Sequence, residues 1–261
     1  MEQAELANQA YDIVIHASEA RYWYFLIGSM LAGFVVAQGI AKLQGERKER
    51  ALRTAGWILI AANLVQTVYG ALSPDLELSI HRNLPVHFCA INGWLIALNC
   101  FFKNKSIFTF SAFLGTIGGL HALLTPQLTI GDAPAILVHY YFNHTAIMVM
   151  PIIMARSYGF QFPKWGWVWT YFAAAVLSTA VGFFNWYLNI YHPGDVSANY
   201  MYMWEAPKVD NPFVQSMEWP WYILPLHGAL ILHLVVINFC YRWGSPLKEL
   251  AGEKWWKRRF I

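Results

Sequence analysis

Apolar runs of about twenty residues, cut by short polar or charged clusters, recur along this chain, and that is the length an α-helix needs to cross the hydrocarbon of a bilayer. The composition agrees with that reading: 57% of the residues are hydrophobic, only 13% are charged, and the mean hydropathy is +0.35. The spacing predicts an all-α polytopic membrane protein with seven transmembrane helices, at about 22–40, 56–72, 84–102, 107–124, 135–155, 165–190 and 219–241. Residues 1–261 then form a single seven-span domain with no room for a separate soluble one. A net charge of +3 is too small to point to nucleic acid as a partner. The first residues, Met1 to Glu5, lack a basic region, so no cleaved signal peptide is expected. Residues 1–21 carry acids and a modest apolar face (Leu6, Ala10, Ile13, Val14), which predicts a short helix lying at the membrane interface.

Seven spans make the ends alternate sides, and lysine and arginine favour the cytoplasm. If the loop after the first span is cytoplasmic, that side receives five basic residues from Lys42 to Arg53, then Lys103 and Lys105, then Arg156 and Lys164. The tail 242–261 adds six more, so fifteen of the eighteen lie on that side (5 + 2 + 2 + 6). Only Arg21, Arg82 and Lys208 remain outside, which predicts the N-terminus out and the C-terminus in. Trp255, Trp256 and the three basic residues after them suit an anionic inner leaflet.

Counting up from each charged cytoplasmic end at about 1.5 Å per residue places several polar side chains at one depth. Cys89 comes out at roughly 21 Å, His87 at roughly 24 Å, His144 at roughly 18 Å and His139 at roughly 25 Å. His121 falls at roughly 24 Å and His227 at roughly 22 Å, whereas His233, at roughly 13 Å, lies below the layer and reads as a packing residue. Independent packing residues have no reason to share a depth, and ionisable groups inside hydrocarbon usually mark function. Asn185, Asn189 and His192 lie above the layer at helical spacing, and the outer segment 194–218 could cover it as a lid. His16, His81 and His192 read as interfacial, and Cys100 and Cys240, near the cytoplasmic ends, as structural. Three cysteines, all within apolar segments, do not suggest a disulfide framework.

Such a layer has three chemical uses. A thiol activated by an imidazole can form a covalent acyl intermediate. On a regular helix His87 and Cys89 point about 200° apart, so the base is expected from another span: His144 or His139, with Asn143 or Tyr140 orienting the ring. Alternatively, histidines on neighbouring spans could bind a haem, a metal or a small hydrophobic ligand in a non-enzymatic membrane subunit. No spacing is diagnostic of a metal site: there is no His-x-x-Glu-His or Cys-x-x-Cys, and the layer holds no carboxylate. The third use is to line a solute pathway.

Five segments carry a resemblance. They are Leu-Pro-Val-His-Phe-Cys at 84–89, Ala-Leu-Leu-Thr-Pro-Gln-Leu at 122–128, Tyr-Tyr-Phe-Asn-His ending at His144, Asn-Tyr-Met-Tyr at 199–202 and Trp-Pro-Trp-Tyr at 219–222. In this order and spacing the chain resembles the YwaF-like bacterial integral membrane proteins and their eukaryotic relative, transmembrane protein 164. The resemblance covers the chain from the third span to the seventh. It implies a lipid acyltransferase or acyl hydrolase of the plasma (inner) membrane, since the eukaryotic relative transfers polyunsaturated acyl chains between phospholipids through a proposed cysteine and histidine. Those roles would fall on Cys89 as nucleophile and His144 as general base. His87, His121, His139, Asn143, Asn185, Asn199, Tyr200 and His227 are expected around them, with membrane phospholipids as partners and no cofactor or metal required.

Overall fold

The computed structural model describes residues 13–72, 79–128, 131–194, 196–207 and 217–243. After a short strand β1 (Ile13–Val14) come α1 (Ala20–Ala41), α2 (Gly45–Leu72), α3 (Phe88–Phe102) and α4 (Lys105–Leu124). Strand β2 (Gln127–Leu128), α5 (Pro134–Tyr158), α6 (Gly166–Tyr191), a 3-10 turn (Tyr200–Tyr202) and α7 (Ile223–Trp243) follow. Among the described residues, five of the seven α-helices, α1, α4, α5, α6 and the Ile223–Tyr241 part of α7, are long and apolar enough to cross a membrane. The other two depart from the expected bounds for physical reasons. In α2 the basic run does not stay a loop: Glu46 to Arg53 join the helix, so its first turns are charged. The predicted third span was to start at residue 84, but α3 starts at Phe88 and has 15 residues, roughly 22 Å of helix. Pro85 forces Leu84 out of helical backbone, and His87 is an extended N-cap.

The N-terminal stretch also differs. Residues 13–19 are not helical: Ile13 and Val14 pair antiparallel with Leu128 and Gln127, and Ile15 donates its N–H to the Pro126 carbonyl at 3.0 Å. Residues 1–12, the rest of the predicted interfacial helix, lie outside the described residues, as do residues 208–216 of the outer segment and 244–261 of the basic tail.

Local chemistry sets the helix ends. Buried Asn99 holds the tight α3–α4 connection, accepting the Asn104 N–H at 2.6 Å and donating to the Asn104 carbonyl at 3.1 Å. Asn104 then caps α4 by accepting from the Ser106 and Ile107 N–H groups at 2.8 and 3.0 Å. Proline at the start of α5 and left-handed Gly159 just after it bound that helix. At the end where this connection lies, Glu49 of α2 accepts Lys103 at 2.8 Å and Arg53 at 3.3 Å. The Lys103 ammonium holds its carboxyl below the usual carboxylate range. At the opposite end Arg21 bridges Glu19 and Asp132 at 2.6 and 2.7 Å.

Helix α5 is central, packed by α1, α2, α3 and α4, while α6 and α7 lean on α4 and on each other. Gly115 and Gly119 make the closest seam. A Cβ at Gly115 would lie 2.6 Å from the Ile147 carbonyl oxygen, and one at Gly119 2.6 Å from that of His144, so only glycine lets α4 approach the backbone of α5. One core cluster joins α2 to α5 around Leu52, Ile96, Cys100, Phe108 and Met154. Cys89, Cys100 and Cys240 are all free thiols. Large apolar side chains such as Phe34, Val176, Phe183 and Val236 stay exposed on α1, α6 and α7, as lipid-facing surfaces do.

Candidate functional site

The early end of α3 opens onto a cavity of about 410 Å³ walled by α3, α4, α5, α7 and the turn at 200–202. Cys89, in the first turn of α3, lies on its wall. Its Sγ seats against Gly118 of α4, where an added Cβ would come within 2.8 Å of the sulfur. His144 of α5 lies on the same wall. Its Nδ1 is 2.7 Å from the Tyr140 carbonyl, a contact only an N–H can make, so Nδ1 carries the proton and Nε2 keeps its lone pair. The Tyr140 ring packs on the imidazole with centroids 4.2 Å apart, and its hydroxyl donates to the Ala122 carbonyl at 2.9 Å and accepts the Gln127 N–H at 3.3 Å. Tyr140 therefore fixes both the tautomer and the tilt of His144. A fixed neutral imidazole with an available Nε2 is the form a general base takes.

His87 and Cys89 both line this cavity, although the two were expected to turn to different faces of one helix. That angle assumed a regular helix, and His87 stands before the helix begins. Its Nδ1 accepts the Met201 N–H at 3.2 Å and its ring meets Tyr200 edge-on, tying 84–87 to the turn at 200–202. His139 of α5 also lines the cavity, and its Nε2 is buried with no hydrogen-bond partner among the described residues. Asn143 is buried beside it, with Oδ1 3.1 Å from where a Cβ at Gly93 would stand. The orphaned His139 Nε2 at the cavity wall is a place for a ligand or water to satisfy.

His121 and His233 form a pair, Nε2 to Nε2 3.1 Å, and His233 gives its Nδ1–H to the Ala229 carbonyl at 2.6 Å. His121 is therefore the donor between them. Depth counting misplaced His233 by ignoring side-chain lean. Helical side chains lean towards their own N-terminus, and α4 and α7 run in opposite senses, so His121 and His233 lean towards each other.

Four expected site residues lie elsewhere. His227 faces α6, 3.2 Å from the Tyr171 hydroxyl. Asn185 mimics a peptide partner, accepting the Tyr200 N–H at 3.1 Å and donating to its carbonyl at 2.9 Å. Asn199 accepts the N–H groups of Trp204 and Glu205 at 3.1 and 3.0 Å. Tyr200 is buried behind the wall; its hydroxyl donates to the Ile80 carbonyl at 2.8 Å and accepts the Leu84 N–H at 3.1 Å. Burial pushes that phenol up to about 12, so it acts as a neutral donor. These contacts fix the turn at 200–202. It contains two consecutive left-handed residues, Met201 (φ 55°) and Tyr202 (φ 56°), a conformation costing roughly 1–2 kcal/mol per residue that the surrounding bonds enforce. His81, expected at the interface, is buried against Gly194.

Sequence reasoning missed Arg82, Tyr202 and His233, which also line the cavity. Among the described residues of the lining, Arg82 carries the one permanent charge and there is no carboxylate. The remaining wall is largely apolar, so the cavity suits a ligand with a long apolar part and a polar head. Among the described residues no three His, Cys, Asp or Glu side chains stand together as a metal site.

A family model, that of the TMEM164 family, matches residues 16–238, which takes in every cavity-lining residue. No curated protein and no solved structure matches this chain.

Proposed function

The chain belongs to the TMEM164 family, and from that premise we propose that it transfers or hydrolyses acyl chains of membrane phospholipids through a thioester on Cys89. The observation that carries this reading is the shared cavity. A thiol and an imidazole held in its basic tautomer line one mainly apolar chamber. In the proposed reaction His144 Nε2 takes the Cys89 thiol proton as the sulfur attacks the ester carbonyl carbon. The carbon–oxygen bond breaks, the departing alkoxide takes the proton from His144, and a lysophospholipid leaves. An acceptor hydroxyl or water then loses its proton to His144 and attacks the thioester carbonyl; the carbon–sulfur bond breaks and the departing Cys89 thiolate takes that proton from His144.

We also propose that all seven helices cross the plasma membrane, N-terminus out, with the cavity in the outer half of the bilayer. The distribution of lysine and arginine supports this, and the non-helical residues 84–87 continue the chain beyond the start of the short α3.

Reconstituted in vesicles with a labelled donor phospholipid and a lysophospholipid acceptor, the protein is expected to move label to the acceptor. Cys89→Ala should abolish the transfer, and His144→Ala should slow it by roughly 10²–10⁴-fold. Transfer that persists in Cys89→Ala would overturn the proposal. The His121–His233 pair supports a second reading, a non-enzymatic subunit holding a metal, haem or hydrophobic ligand. Metal analysis and an absorption spectrum of the purified protein separate the two.

A further inference from the structure

A second cavity, of about 720 Å³, lies on the far side of the outer turn. Gly182, Phe183 and Trp186 of α6 form one wall, Met203 and Trp204 of the turn another, and Trp219 leads into α7. Among the described residues its lining carries no charge, and the Trp219 indole N–H is engaged by the Met203 carbonyl at 3.4 Å. Its volume falls within the roughly 300–1,000 Å³ typical of small-ligand pockets. Gly182 keeps it open: a Cβ there would only touch Met203, at 3.5 Å, so a large side chain would project into the space. Phe183, Trp186 and Trp219 are exposed, and beyond them the surfaces of α6 and α7 continue with exposed Val176, Ile190 and Leu224. The cavity is thus continuous with the face that two membrane-length helices present to hydrocarbon. The turn is shared between the two cavities, presenting Met201 and Tyr202 to the first and Met203 and Trp204 to the second.

We infer that this second cavity binds one acyl chain of a membrane phospholipid, entering sideways from the bilayer, next to the compartment where the ester would react. As an account of substrate placement it rests on the acyl-transfer reading; as a lipid site it is tested separately. The full chain is reconstituted in phosphatidylcholine vesicles doped with phosphatidylcholine bearing a diazirine near the methyl end of one acyl chain, irradiated, and digested for adduct mapping. Adducts are expected to concentrate on residues 179–186, 203–204 and 219–223. Gly182→Trp, which fills the cavity, should lower them by roughly tenfold. Gly28→Trp, placed where a Cβ meets nothing within 4 Å on α1, should leave them unchanged. Adducts spread evenly over α1, α6 and α7 in the unsubstituted protein would mean annular lipid only and overturn the inference, whether or not the variants fold. So would an unchanged map in a folded Gly182→Trp. Cys89→Ala is expected to keep the map, so loss of the acyl-transfer reading would leave this result standing.

Discussion

At the scale of single residues, the site depends on what is small as much as on what reacts. Gly118 leaves room for the Cys89 sulfur, and an alanine there would place a methyl 2.8 Å from it. Turning the thiol away is cheap for the fold, so Gly118→Ala should cost about 1 kcal/mol of stability yet slow acyl transfer by roughly tenfold or more. Thermal unfolding and exchange assays on one preparation check this; equal rates would mean that the sulfur's position is immaterial. The role of glycine at 118 was not legible, because a sequence does not say which neighbour occupies the space a missing side chain leaves. Cys89, His87, His121, His139 and His144 were legible as a group because burying polar groups in an apolar chain is costly enough to need a reason. His233 escaped because Cα depth ignores the direction in which a helical side chain leans.

At the scale of elements, the apolar runs fixed where helices lie, while their junctions were read less well. A run of apolar residues does not reveal that Pro85 delays α3 until Phe88, since extended and helical backbone carry the same hydropathy. Nor does it reveal that Asn185 and Asn199 serve the outer turn rather than the cavity, because an asparagine that mimics a peptide partner looks the same in sequence as one that binds a ligand. Removing the Asn185 side chain strips the Tyr200 N–H and carbonyl of their partners in a buried site. Asn185→Ala should therefore cost roughly 1–3 kcal/mol or more and release the turn. Limited proteolysis within 196–207 would report the release, and a variant as resistant as the original protein would show that the turn is held otherwise.

At the scale of the whole molecule, composition and spacing were enough for a multi-pass membrane protein, and the central place of α5 was not foreseen. Contacts among α1, α2, α3, α4 and α5 are long-range and leave no local pattern in the chain. The proposed orientation places Lys42 and His192 on opposite sides. In a variant carrying one added cysteine and Cys240→Ser, an impermeant maleimide applied to intact cells should label His192→Cys and spare Lys42→Cys, and the reverse pattern would invert the topology. The central claim is a covalent one. The purified protein is incubated with donor phospholipid in the absence of acceptor, and its intact mass is measured before and after neutral hydroxylamine. We predict a gain of one acyl group, mapped to Cys89 and removed by hydroxylamine. Acyl transfer proceeding with Cys89 never acylated, or with the acyl group on another residue, would contradict the account.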